Sequence, residues 1–179
     1  MTPGIDHILD QLMTGAPQRL DDITSHDAGI YALYDHEGRP AYIGMTEDFR
    51  HRIWANHASG DGNSHKFSTA YNAGRMFHAR KDPRTCQADG PIAKKLRTLF
   101  AREYCRAVTF ALPGYTKHDL DPIEVALRRA APAEAIRWND SKAVDAIEPT
   151  TLVDQLLAKL SWSPQQIAAI ERQAARHRS

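Results

Sequence analysis

Gly29-Ile30-Tyr31 and Tyr42-Ile43-Gly44 bracket ten residues that hold one turn and little else. Residues 28–35 alternate as a strand, His36-Glu37-Gly38-Arg39 reads as a turn, and 40–43 form the returning strand. The two strings are therefore predicted to pair as a hairpin. That pairing brings one phenol from each strand, Tyr31 and Tyr42, to one place. Taken alone, two hairpin tyrosines are as well explained by burial with satisfied hydroxyls as by chemistry.

The remaining pattern supplies helices around this hairpin. Thr2-Pro3 with Ile5, Ile8, Leu9 and Leu12 predicts a capped amphipathic helix ended by Gly15. Thr46-Glu47-Asp48 predicts a second helix start, with Phe49, Ile53 and His57 on one stripe. A Gly/Asp/Asn/Ser loop at 59–64 precedes predicted helices over roughly 65–79 and 91–103, split by a break at 82–91. Cys105–Leu112 reads as a third strand. Asp121-Pro122-Ile123-Glu124 reads as a helix opening with a cap, a proline and a glutamate at the third position; Pro132 ends or kinks it. Two tail helices are predicted, capped by Thr151 and by Ser163-Pro164-Gln165-Gln166, with Leu152, Leu156, Leu160 and Ile167 packing on the core or on a second subunit.

At 179 residues the chain has room for one core with appended helices. Two cysteines, Cys86 and Cys105, give neither a disulfide framework nor a paired-cysteine metal site. The N-terminus lacks signal-peptide order and no apolar run approaches the ~20 residues of a membrane span, so the expectation is a cytoplasmic, soluble protein with no membrane partner.

The net charge of +1 conceals a split. Between Arg75 and Arg106 nine basic residues face three acidic ones, an excess of six, so the remainder carries −5. Such a band suits a polyanion, because each neutralised phosphate releases counterions. Arg75, Arg80, Lys81, Lys94, Lys95 and Arg97 are the candidate nucleic-acid contacts, and Lys94, Lys95 and Arg97 open one predicted helix. A solvated helix face is the other explanation.

In order and spacing, these elements resemble the catalytic domain of the GIY-YIG nuclease family over about residues 28–140. In that family the second motif is followed by a helix bearing an arginine, a third strand, a helix with a metal-binding glutamate, and an asparagine. Arg52, eight residues after Gly44, matches the arginine, with Arg50 as its neighbour and competitor. Glu124 matches the glutamate, and Asn139, after Trp138, matches the asparagine. Some members carry a histidine one turn after the arginine; here that position is Asn56, and His57 follows it, rotated about 100°. His57, with His65 across the loop, is the remaining candidate proton carrier, although each also reads as a surface histidine.

The resemblance implies an α/β (α+β) domain with a small, mostly antiparallel three-stranded sheet flanked by helices, residues 1–27 and 141–179 forming helical extensions. It also implies a divalent-metal-dependent DNA endonuclease. Tyr31 would activate or position water, Tyr42 would line the site, Arg52 would stabilise the transition-state charge, and Glu124 would hold Mg²⁺ or Mn²⁺. One carboxylate suffices for such a cation when waters and substrate phosphate complete its shell. As a helix-opening residue, Glu124 could instead close a capping box with Asp121, and Asn139 could be a plain turn residue. DNA is the expected partner and a homodimer is compatible with a symmetric double-strand cutter. The rival expectation is a non-catalytic DNA-binding or assembly module on the same scaffold.

Overall fold

The hairpin forms because its turn is held by a single buried acid. A computed structural model describes residues 3–61, 65–139 and 144–179. Strand β2 (Gly29–Tyr34) pairs antiparallel with β3 (Pro40–Thr46), Tyr31 opposite Gly44 and Leu33 opposite Tyr42. The Asp35 carboxylate, 2% exposed, accepts the N–H groups of Glu37 and Arg39 at 2.9 Å each and the guanidinium of Arg137 at 2.5 Å. A buried carboxylate needs donors, and the turn and Arg137 supply several at once.

Chain segments Met1–Asn56 and Tyr104–Lys142 build one unit, His57–Glu103 and Ala143–Ser179 a second. The first holds an antiparallel sheet in the order β1-β4-β2-β3, where β1 is Gln18–Arg19 and β4 is Arg106–Ala111. The sheet thus has four strands, not the three expected. β1 is two polar residues long and carries no alternation, so only its pairing with Ala107 and Arg106 reveals it. Helices α1 (Ile5–Thr14) and α4 (Lys117–Ala130) pack on one face, where Ile8, Leu12, Leu120, Ile123 and Leu127 meet Ile30, Ala32 and Ile43. The N-terminal helix expected as an extension is therefore part of this core; its expected Thr2 cap lies outside the described residues.

α4 starts a turn earlier than the sequence suggests. Thr116 and Asp119 form the capping box, the Asp119 carboxylate accepting from Thr116 N–H at 2.9 Å, and Pro122 lies inside the helix. Glu124 is consequently free of any capping role. The expected helix at 46–57 also begins later: Thr46 closes β3, Asp48 accepts the His51 N–H at 2.8 Å, and Arg50–His57 wind as a π-helix. Phe49, Ile53 and His57 are all buried, as their stripe predicts.

The second unit contains α2 (Lys66–Ala70), α3 (Gly90–Tyr104), α5 (Thr150–Lys159) and α6 (Pro164–Arg178). The single helix expected over 65–79 is broken into α2, which ends at Ala70, and a 3₁₀ turn at Gly74–Met76, where Gly74 adopts φ +54°, a value that a side chain disfavours. The Ser163/Gln166 capping box opens α6 as expected, whereas α5 starts at Thr150 with Pro149 before it, leaving Thr151 inside. Val153, Leu156, Ile170 and Ala174 are buried on these two helices; Leu152, Leu160 and Ile167 are only partly so. Positions 62–64 of the expected 59–64 loop lie outside the described residues. Among the described residues, no helix is long and apolar enough to cross a membrane.

Candidate active site

Alternation puts Tyr31, Leu33, Tyr42 and Gly44 on the sheet face opposite the α1/α4 core. Tyr31 and Tyr42 meet there with ring centroids 6.0 Å apart and share a hydrogen bond. Gly44 makes that meeting possible, since a Cβ on it would sit 2.5 Å from the Tyr42 ring and 2.7 Å from the Tyr31 hydroxyl. The motif glycine is a space requirement of the two phenols.

Arg52 projects from the π-helical segment onto this pair. Its Nε donates to the Tyr31 hydroxyl at 3.3 Å, and Tyr42 lines the same pocket beside it. The neighbouring candidate, Arg50, turns elsewhere: it stacks over Trp54 at 4.1 Å and donates to the Ile23 carbonyl. An open pocket of about 320 Å³ lies beside the cluster, lined by Tyr42, Thr46, Glu47, Arg52, Lys117 and Glu124. Tyr31 has no exposed surface, so the phenol that faces the pocket is Tyr42.

Burial, and next the neighbouring Tyr42, holds the Tyr31 phenol well above its ordinary pKa, against the pull of Arg52. Burial and then Glu124 raise Tyr42 in the same direction. Both phenols are therefore neutral at pH 7 and keep their O–H groups as hydrogen-bond donors. Burial works against the Arg52 charge, but the neighbouring Tyr31 and Tyr42 outweigh this and leave it cationic.

Burial also raises the Glu124 carboxyl, with Arg128 opposing from 3.9 Å, one turn along α4. Among the described residues no hydrogen-bond donor satisfies this carboxylate, although its side chain is only 16% exposed. A carboxylate so placed, facing a pocket, fits a hard cation such as Mg²⁺ held by one protein ligand, waters and substrate phosphate. No group of three His, Cys, Asp or Glu is assembled among the described residues, so a cation held by protein alone does not fit.

Asn139 anchors the outer edge of the hairpin. Its side chain accepts the Ile43 N–H at 3.0 Å and donates to the Ile43 carbonyl at 2.6 Å, between Tyr42 and Gly44. Trp138 N–H adds a bond to Ala41 O at 2.9 Å, so this segment covers the open edge of β3.

Other expectations are corrected by placement. His57 is not a surface residue: it belongs to the second unit, is 1% exposed, and its Nδ1 accepts the Lys66 N–H at 3.2 Å. Arg97 is 1% exposed and does not face a polyanion, because its guanidinium binds Asn72 Oδ1 at 2.6 Å and the Met76 and His78 carbonyls at 3.1 Å each. Arg75 is likewise consumed, by Glu148 at 2.5 Å and Asp154 at 2.6 Å. Of the candidate band, Arg80, Lys81, Lys94 and Lys95 keep side chains without a carboxylate partner among the described residues.

Lys117, Thr46 and Glu47 are not marked as site residues by the sequence pattern. The available signal for Lys117 is the Thr116-x-x-Asp119 box, which opens the helix one residue before it. No family model matches the chain, and neither a curated protein nor a solved structure matches it.

Proposed function

We propose that this chain is a divalent-cation-dependent DNA endonuclease of the GIY-YIG type. One observation carries the reading: a guanidinium bonded to the buried Tyr31 phenol shares a pocket with Tyr42 and with a part-buried carboxylate that has no donor of its own among the described residues. Phosphodiester hydrolysis needs an oriented water, positive charge on the phosphoryl oxygens, and relief of charge on the leaving alkoxide. A cation at Glu124 would supply Lewis-acid charge neutralisation. Arg52 holds a second, fixed positive charge at the pocket wall, where it meets charge that grows in the transition state. Tyr42 orients the attacking water from the pocket side. Tyr31 acts behind it as a positioning residue, through its bonds to Arg52 and Tyr42.

The experiment that tests this reading is plasmid nicking by the purified protein with Mg²⁺ and with EDTA. Metal-dependent nicking is expected; DNA binding without nicking in either condition would replace it with the non-catalytic module. Arg52→Ala is expected to lower the single-turnover rate by about two to three decades, equivalent to ~3–4 kcal/mol. A loss below tenfold in a folded variant would take Arg52 out of the chemistry.

The two strand tyrosines give a sharper contrast. Tyr34 lies on the opposite sheet face, where its hydroxyl donates to the Leu12 carbonyl at 2.7 Å. Tyr34→Phe removes one buried hydrogen bond and should lower stability by about 1 kcal/mol with activity retained. Tyr31→Phe should do the reverse, losing at least tenfold in rate through a loosened Arg52. Equal activity losses that track melting temperature in both variants would make the phenols structural.

A further inference from the structure

Lys117 occupies the first helical position of α4 and lines the same pocket as Arg52 and Glu124. It stands seven residues before Glu124, which at 100° per residue returns it to within about 20° of the same helix face. The separation along the axis is roughly 10 Å, two turns. Glu47, also on the pocket rim, accepts the Lys117 backbone N–H at 3.0 Å, so that acid is tied to the helix start. The Lys117 ammonium itself has no carboxylate partner among the described residues.

On the nuclease reading above, we infer that Lys117 binds a phosphate flanking the scissile one, making the preferred substrate a nucleic-acid strand and not a single phosphodiester. Successive phosphates of one strand advance about 3.4 Å along a duplex. A point charge on a flexible four-carbon stem, roughly 10 Å from the carboxylate that marks the scissile position, reaches a flanking phosphate within about three steps of it. Arg52 serves the reacting phosphate and Lys117 a flanking one, so the pocket reads a stretch of backbone.

The test compares wild type, Lys117→Ala and Lys117→Arg on duplex DNA and on a thymidine 5′-nitrophenyl phosphate diester, which has no flanking phosphate. Lys117→Ala is expected to raise KM for DNA about tenfold, with a much smaller change in kcat. The penalty should be at least fivefold larger on DNA than on the diester. Binding of DNA in Ca²⁺ should show a log K against log salt slope smaller by about 0.9. Lys117→Arg should restore the slope and most of the KM, because the charge alone is required. An unchanged slope with wild-type cleavage intact would overturn the assignment of Lys117 while leaving the nuclease reading standing. A kcat loss that arginine does not rescue would make Lys117 a proton donor instead and overturn it too. Absence of DNA binding and cleavage in the wild type would sink both.

Discussion

Replacing Glu124 by glutamine is expected to abolish cleavage, by at least a hundredfold, while leaving DNA affinity nearly intact and the fold no less stable. The three outcomes follow from one placement. Glu124 makes no cap and no hydrogen bond among the described residues, and its ion pair with Arg128 is long at 3.9 Å, so the fold depends little on its charge. Burial raises its pKa, which means the folded protein binds the proton more tightly than the unfolded chain does. The wild-type contribution is therefore most favourable below the unfolded carboxylate pKa of about 4.3 and is lost as pH rises through the folded value. Glutamine removes that penalty, so the variant should melt at or above the wild-type temperature at pH 7. The difference should close as both are acidified. Thermal unfolding at pH 4 and pH 7, beside single-turnover nicking, checks all of this. A variant with more than a tenth of wild-type rate would end the ligand assignment, and a clear drop in melting temperature would make the Arg128 contact at 3.9 Å structural.

The hairpin and its phenols are legible in the sequence because their determinants are local. Tyr31, Tyr42 and Gly44 lie within fourteen residues of one another, and strand alternation alone puts them on one face. Glu124 is legible only as a residue, since its environment depends on where α4 begins. Asp121-Pro122 is a strong local start signal, and it masks the Thr116/Asp119 box one turn upstream. The displaced start creates an apparent capping role that the fold does not contain. β1 cannot be read from two polar residues, because its only reason to be a strand is the edge of β4. Arg75 reads as outward-facing because its partner Glu148 is 73 residues away. Arg97 does carry a signal: four residues after Ala93 and three before Phe100, it stands on the buried face of α3.

That position makes Arg97 the largest expected stability determinant of the second unit. Its guanidinium supplies donors to Asn72 Oδ1 and to the carbonyls of Met76 and His78, with Gly60 O at 3.4 Å. The 3₁₀ turn at Gly74–Met76 and the chain after it have no regular ladder, so this side chain stands in for one. Burial lowers the Arg97 pKa to about 10, which still leaves it charged at neutral pH. Arg97→Met keeps much of the aliphatic volume but strands several buried acceptors. Each stranded group costs about 1–3 kcal/mol, so a loss of about 3–5 kcal/mol is expected. That is a large share of the roughly 5–15 kcal/mol by which a typical domain is stable. Arg97→Lys should fall between, since an ammonium offers three donors but not the planar fork that reaches separate acceptors. Urea denaturation of the three proteins measures the series. A loss under about 1 kcal/mol in Arg97→Met, paired with weakened DNA binding, would mean the guanidinium leaves its buried carbonyls to meet phosphate.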